Sequence, residues 1–155
     1  MFLKAIVKEG VLQEKDGISL ALEVGPLLPS TAPGEHGVGF EATGIASGQL
    51  LPFTYHVNLG GGVDRVDARP FALWGLIAEL PASPGLRLVG EVNGESVEHE
   101  RANNSALVGF IWQPIPARRF WVDAGVRRGI TRAAPDWQVT LGLTLGFDLF
   151  RNPSR

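Results

Sequence analysis

The 155-residue sequence contains no cysteine, which excludes a disulfide scaffold and thiolate zinc sites. Charged residues are scarce at 19%, and the 14 lysines and arginines are scattered along a chain of net charge -2. Without a basic stripe to contact phosphates, we expect no nucleic-acid partner. Residues 70–78 form the longest mainly apolar stretch, about half of the roughly 18 residues that a transmembrane helix requires. Lys4, Lys8 and Glu9 interrupt the N-terminal apolar residues, so no signal peptide is recognised in this chain.

Glycine and proline are plentiful instead, with 20 and 11 residues, and the apolar share is 45%. That composition indicates many short strands joined by turns. Strict alternation of apolar with small or polar residues over 18–24, 53–60 and 139–147 predicts three strands, because a helix cannot segregate a period of two. Weaker alternation predicts six more, over residues 2–12, 38–46, 71–80, 86–95, 105–113 and 120–127.

The links between these strands alternate in length. Short links over 14–17, 48–52, 81–85 and 114–119 alternate with links over 26–37, 63–70, 96–104 and 130–135, most of which are longer. Several strands also approach the 9–11 residues, roughly, that a tilted strand needs to cross a bilayer. Both features are typical of outer-membrane barrels. We therefore predict an all-β, antiparallel up-and-down transmembrane β-barrel of about nine strands, with one domain over residues 1–150 and a polar tail over 151–155.

Seven polar residues are predicted to face the lumen of this barrel. They fall opposite the apolar positions of their strands, and an arginine that faced lipid at the bilayer midplane would cost about 2–4 kcal/mol. Glu91 and Asp123, with Arg87 and Arg127 on matching faces, suggest a charged ladder. The full set is Glu23, His56, Asn58, Arg87, Glu91, Asp123 and Arg127.

Aromatic residues concentrate near the predicted strand ends, where rings at headgroup depth form interfacial girdles in membrane barrels. They are Phe53, Tyr55, Phe120, Trp121, Trp137, Phe147 and Phe150. A cluster of Glu95, Glu98, His99 and Glu100 is interpreted as a solvated outer loop and not as a cation site. No catalytic, cofactor or metal residue is predicted.

Two alternatives stay open. A soluble ligand-binding β-barrel alternates in the same way but turns its apolar face inward, and the pattern alone does not distinguish the two. An outer-membrane lipid-modifying enzyme would need a Ser-His-acid set at the outer rim, and the sequence does not supply one there.

Most of the chain, including residues 53–62, resembles a family of outer-membrane, transporter-like β-barrels associated with the meta-pathway of phenol degradation, and the resemblance is specific from about Leu86 onward. The matching residues are Gly90-Glu91, Gly94-Glu95, Val122-Asp123-Ala124-Gly125, Arg128-Gly129, Ala134-Pro135-Asp136-Trp137, Gly142-Leu143-Thr144 and Phe147. The resemblance implies an outer-membrane location and passive passage of small, aromatic or hydrophobic molecules. It also implies outer-membrane lipid and the barrel-assembly machinery as partners.

Members of that family have about a dozen strands and end on the aromatic residue that matches Phe147. Because the predicted nine strands are odd in number and the first would start on the outside, we expect an N-terminally truncated barrel. The residues after Phe147 would leave the C-terminal assembly signal internal, or displace it to Phe150. An unpaired edge on the first strand would favour self-association.

Overall fold

The computed structural model describes residues 2–31, 36–115 and 119–146. They form one antiparallel sheet whose nine strands lie side by side in chain order. The strands are β1 (Leu3–Lys8), β2 (Ser19–Leu27), β3 (Gly39–Leu50), β4 (Phe53–Val63), β5 (Pro70–Ser83), β6 (Leu86–Val97), β7 (Asn103–Trp112), β8 (Phe120–Gly129) and β9 (Trp137–Leu145). The prediction of an all-β, up-and-down antiparallel sheet is confirmed. The sheet is open, with β1 and β9 as its edges.

The connections agree with the predicted alternation in the middle of the sheet only. Residues 51–52 and 84–85 form tight links at one end, which we call the turn end, and residues 64–69 and 98–102 form longer links at the opposite, loop end. The predicted short link between β1 and β2 is wrong, because residues 9–18 separate these strands and include a 3₁₀ turn, Val11–Gln13. The β7–β8 and β8–β9 links have equal length, residues 113–119 and 130–136.

The strand register separates the side chains into two faces, because directly paired residues project to the same side of a sheet. One face carries Leu22 on β2, Leu59 on β4, Val108 on β7 and Leu141 on β9, which are 44%, 64%, 70% and 78% exposed. The opposite face carries nearly all of the polar side chains within the strands. Trp121 is a correction to the predicted girdle, since it pairs with Thr144 and therefore lies on the polar face.

Almost no apolar side chain is buried between the two faces. Among the described residues, Ala134 is the single buried hydrophobic residue, and the buried polar residues are Ser19, Ser47 and Ser105. The accessible surface of the chain is 11,030 Å², whereas a compact monomer of this mass has about 7,600 Å². The apolar face is thus left without a covering layer in the isolated chain.

The sheet curls toward its polar face. Asn58 on β4 and Thr140 on β9 line the same cavity, although five strand spacings would separate them by about 24 Å in a flat sheet. The polar face is therefore concave and the apolar face convex. None of the described helical segments is long and apolar enough to cross a membrane. Phe147, Phe150 and the predicted tail 151–155 lie outside the described residues.

Candidate functional site

All seven residues predicted to face a lumen lie on the concave face. The strand register establishes this placement, because paired residues share a face: Asn58 pairs with Gly75, and Glu91 pairs with Leu107, which in turn pairs with Arg127. The remaining four are Glu23 opposite Thr43, His56 opposite Ser47, and Arg87 and Asp123, which both face Ile111.

A closed ring of hydrogen bonds occupies the middle of this face. Arg127 Nη2 donates to Glu91 Oε1 at 2.9 Å, and Arg127 Nη1 donates to Ser105 Oγ at 2.9 Å. Ser105 Oγ donates to Asn93 Oδ1 at 2.6 Å, and Asn93 Nδ2 returns to Glu91 Oε1 at 2.7 Å. The small serine on β7 lets the Arg127 side chain reach from β8 to β6. Because Glu91 and Arg127 are each only 19% exposed, their charges need this pairing.

The predicted charged ladder forms only at the Glu91–Arg127 pair. Arg87 Nη1 lies 2.5 Å from Glu79 Oε2 on the adjacent strand β5 and does not approach Asp123. Asp123 instead fills the space beside Gly142, whose absent side chain would clash with the carboxylate. The physical reason is register, since Asp123 sits one strand beyond the reach of Arg87, on the far side of Ile111.

Near the turn end of the concave face, a second chain of contacts runs through Ser47, His56, Glu79 and Arg87. Ser47 Oγ lies 2.8 Å from His56 Nδ1, and His56 Nε2 lies 3.5 Å from Glu79 Oε1. Glu79 is absent from the residues predicted to face the lumen. Its position in the alternation of β5, on the face opposite to the apolar Leu76 and Leu80, indicates that placement.

The contacts of Ser47, His56 and Glu79 bring together the residue types of a serine-hydrolase triad, but their geometry does not suit nucleophilic catalysis. Ser47 is 1% exposed, so its hydroxyl cannot meet a substrate carbonyl. The Glu79 carboxylate is also engaged by Arg87. We interpret the contacts as a network that holds β3, β4, β5 and β6 together on their polar side.

The link between β1 and β2 folds across the turn end of the concave face. Leu12 N donates to Ser19 Oγ at 3.0 Å, and the same hydroxyl donates to Gln13 Oε1 at 3.0 Å. Val11 and Leu12 line a cavity of about 170 Å³ together with His56. The 3₁₀ turn therefore narrows this end of the concave space.

At the loop end, Asp64 and Arg69 organise the link between β4 and β5. Asp64 Oδ1 accepts hydrogen bonds from the backbone N–H groups of Val66, Asp67 and Arg69 at 3.2, 3.1 and 3.0 Å. Arg69 Nη2 lies 3.2 Å from Asp64 Oδ2, and Arg69 Nη1 lies 2.7 Å from Glu100 Oε1 in the β6–β7 link. One guanidinium thus joins two neighbouring loops.

These contacts shift two pKa values. Desolvation raises the pKa of Asp64, but the three N–H donors and the charge of Arg69 outweigh it and hold the pKa below its usual value. The hydrogen bond to Glu100, followed by the carboxylate charges, raises the pKa of the Arg69 guanidinium against the opposing effect of burial. The guanidinium therefore stays charged while Asp64 titrates.

We expect strong acid to open the loop of residues 64–69. Because the folded-state pKa of Asp64 is depressed, its carboxylate stabilises the loop fully above the ordinary aspartate pKa of about 3.9, and this contribution is lost as the pH falls through the lower folded value. Backbone amide shifts of Val66, Asp67 and Arg69, followed by NMR from neutral pH downward, should move together with a midpoint below about 3.9. Asp64→Asn should abolish the transition; a midpoint at or above the ordinary value would contradict this prediction.

The predicted acidic cluster in the β6–β7 link is partly engaged by this loop contact, since Glu100 pairs with Arg69. Within the described ranges, no three His, Asp or Glu side chains come together to hold a metal ion.

No protein-family model, curated protein or solved structure matches the chain. The family resemblance, which is specific from about Leu86 onward, stays a prediction.

Proposed function

We propose that this chain is part of the wall of an outer-membrane β-barrel through which small solutes pass passively. The observation that carries the proposal is the distribution of polarity between the two faces, with apolar side chains on the outside of the curve and polar side chains on the inside. The convex face exposes Leu, Val and Trp side chains along β2 to β9, while serines and paired charges line the concave face. A lipid bilayer favours this arrangement, because apolar side chains then face hydrocarbon and polar groups face a water-filled interior.

The height of the apolar surface supports the proposal. On β5, convex-face residues from Pro70 to Leu80 are all apolar. Ten residue steps span about 33 Å along a strand, and a tilt of about 40° reduces this to about 25 Å along the membrane normal. That matches the apolar band of membrane barrels, about 25 Å tall.

Aromatic residues border this band on the convex face. Trp112 and Phe120 lie at the turn end, and Trp137 lies at the loop end. The Arg128 guanidinium stacks 5.2 Å from the centre of the Trp137 ring. An arginine that extends along an aromatic ring suits the headgroup layer, where its charge stays hydrated while its stem contacts apolar surface.

Closure of the barrel would take place at the free edges of β1 and β9. These strands run in the same direction, since every neighbouring pair is antiparallel and the strand count is odd. Added strands in odd number, three in the twelve-stranded barrel that the resemblance implies, would keep every new pair antiparallel. A second copy pairing through the β1 edge is the self-association predicted from the sequence.

The soluble alternative is less well supported. A soluble ligand-binding β-barrel buries its apolar face inside, whereas Leu141 and Val139 are 78% and 77% exposed on the outside of the curve. The enzyme alternative is opposed by the burial of Ser47.

The test is expression and refolding of the whole chain with and without amphiphile. We expect β-rich, protease-resistant protein in detergent micelles or lipid vesicles, with heat-modifiable migration, and aggregation in buffer alone. Vesicles that contain the protein should swell in isosmotic solutions of small solutes, while vesicles with heat-denatured protein should not. A monomeric, cooperatively unfolding protein in plain buffer would overturn the proposal.

A further inference from the structure

A cavity of about 570 Å³ lies within the curve of the concave face and is lined by strands β4 to β9. Amide and hydroxyl side chains dominate its polar lining, namely Asn58, Asn93, Asn103, Ser105, Gln138 and Thr140. These groups donate and accept hydrogen bonds without carrying charge. Such a lining suits a ligand with several hydrogen-bonding groups and no net charge.

Gly75 gives the cavity its floor. It lies on β5 directly between Asn58 on β4 and Asn93 on β6. A methyl group added at Gly75 would lie 3.7 Å from Asn58 Nδ2 and 3.8 Å from Asn93 Cβ, which is ordinary contact. The glycine therefore leaves a gap between the two amides, and any larger side chain would fill it.

The two amides differ in how they are used. Asn93 donates to Glu91 and accepts from Ser105, so it is held in place. The Asn58 amide is not hydrogen-bonded within the described part of the chain, and its Oδ1 atom is buried without a partner. A buried acceptor without a partner is unfavourable, and rotation of the amide toward a donor in the cavity would relieve that cost.

Charge in the cavity disfavours anions. Arg127 is already paired with Glu91, and Glu95 adds a further negative charge to the lining. Among the described residues that line the cavity, an incoming carboxylate would meet no cation other than the paired Arg127, and it would meet the additional acid Glu95.

We propose that this cavity binds an uncharged small molecule with several hydroxyl groups, one of which donates to Asn58 while the molecule occupies the space above Gly75. This inference rests on the proposed channel function and names the solute class that the channel would favour. It differs from the aromatic or hydrophobic cargo that the family resemblance implies.

The experiment titrates refolded protein in detergent micelles with myo-inositol, phenol or benzoate, and follows the side-chain amide signals of Asn58 and Asn93 by NMR. We expect myo-inositol to bind at least fivefold more tightly than phenol, and benzoate to bind more weakly still. Asn58→Leu should weaken myo-inositol binding at least fivefold, as read from the Asn93 signal. Thr54→Val, on the same face of β4 but outside this cavity, should leave binding unchanged.

A second variant guards against loss of the fold. Gly75→Val should abolish myo-inositol binding by filling the floor, whereas Gly90→Val serves as its control, because no atom lies within 4 Å of a methyl group at Gly90. Equal binding by Asn58→Leu and the original protein, or tighter binding of benzoate, would overturn the inference. Binding without vesicle swelling would uphold it and contradict the channel function, and swelling without binding would do the reverse.

Discussion

Leu59→Arg should destabilise the protein in lipid vesicles by about 2–4 kcal/mol, the cost of an arginine near the bilayer midplane of a membrane barrel. Leu59 lies near the middle of β4, is 64% exposed and belongs to the convex face. On a water-exposed surface the same substitution would change the free energy of unfolding by less than about 0.5 kcal/mol. The size of the effect therefore reports what covers the convex face.

Thr43→Arg is the matched control. Thr43 faces Gly60, the neighbour of Leu59 on β4, so the two positions share a depth in the sheet but belong to opposite faces. On the concave face the new arginine would lie near Glu23 and Glu41 and could pair with either carboxylate. We expect a loss below about 1 kcal/mol in urea unfolding from vesicles. Equal losses for both variants would contradict a lipid-covered convex face.

Strand positions could be predicted from the sequence because alternation is a local property of the backbone. Residues 53–60 alternate cleanly, and β4 begins at the predicted Phe53 and extends to Val63. The assignment of polar residues to one face follows for the same reason, since the side-chain period in a strand is two. A shared face needs no knowledge of which strand is adjacent.

Contacts between strands could not be predicted in the same way, because they depend on register and side-chain reach. Arg87 pairs with Glu79 on one neighbour, while Asp123, in line with it, lies two strands away on the other side. Arg127 reaches Glu91 because the intervening strand carries the small Ser105 on the next rung. Sequence spacing alone does not encode these differences.

The β1–β2 link shows a different limit. The weak alternation over residues 2–12 predicts one long strand, but β1 ends at Lys8. Gly10 N donates to Gln13 Oε1 at 3.0 Å and Leu12 N to Ser19 Oγ, so side-chain acceptors satisfy the backbone of a 3₁₀ turn. A turn held by partners up to seven residues away leaves little trace in a period-two pattern.

Arg127→Met should lower the free energy of unfolding in vesicles by about 2 kcal/mol, because the Glu91 carboxylate, which is only 19% exposed, then lacks its cation. The double variant Arg127→Met with Glu91→Met should recover more than half of that loss, giving a coupling energy of about 1–2 kcal/mol. Arg87→Met is the comparison, since Arg87 is 45% exposed and its pair with Glu79 is more strongly screened. An equal effect of the two single variants would contradict a special role for the central ring.

The same substitution should change ion selectivity if the concave face lines a conducting pore. Removing Arg127 leaves Glu91 and Glu95 as the charged groups among the described residues that line the central cavity, so the local potential becomes more negative. We expect the reversal potential in a salt gradient across a planar bilayer to shift toward cation preference for Arg127→Met, and toward anion preference for Glu91→Gln. Val126→Met, on the convex face beside Arg127, should leave the reversal potential unchanged, because its side chain lies on the opposite face of the sheet from the cavity. Shifts of the same sign in the two charge variants would mean that this face does not line the ion path.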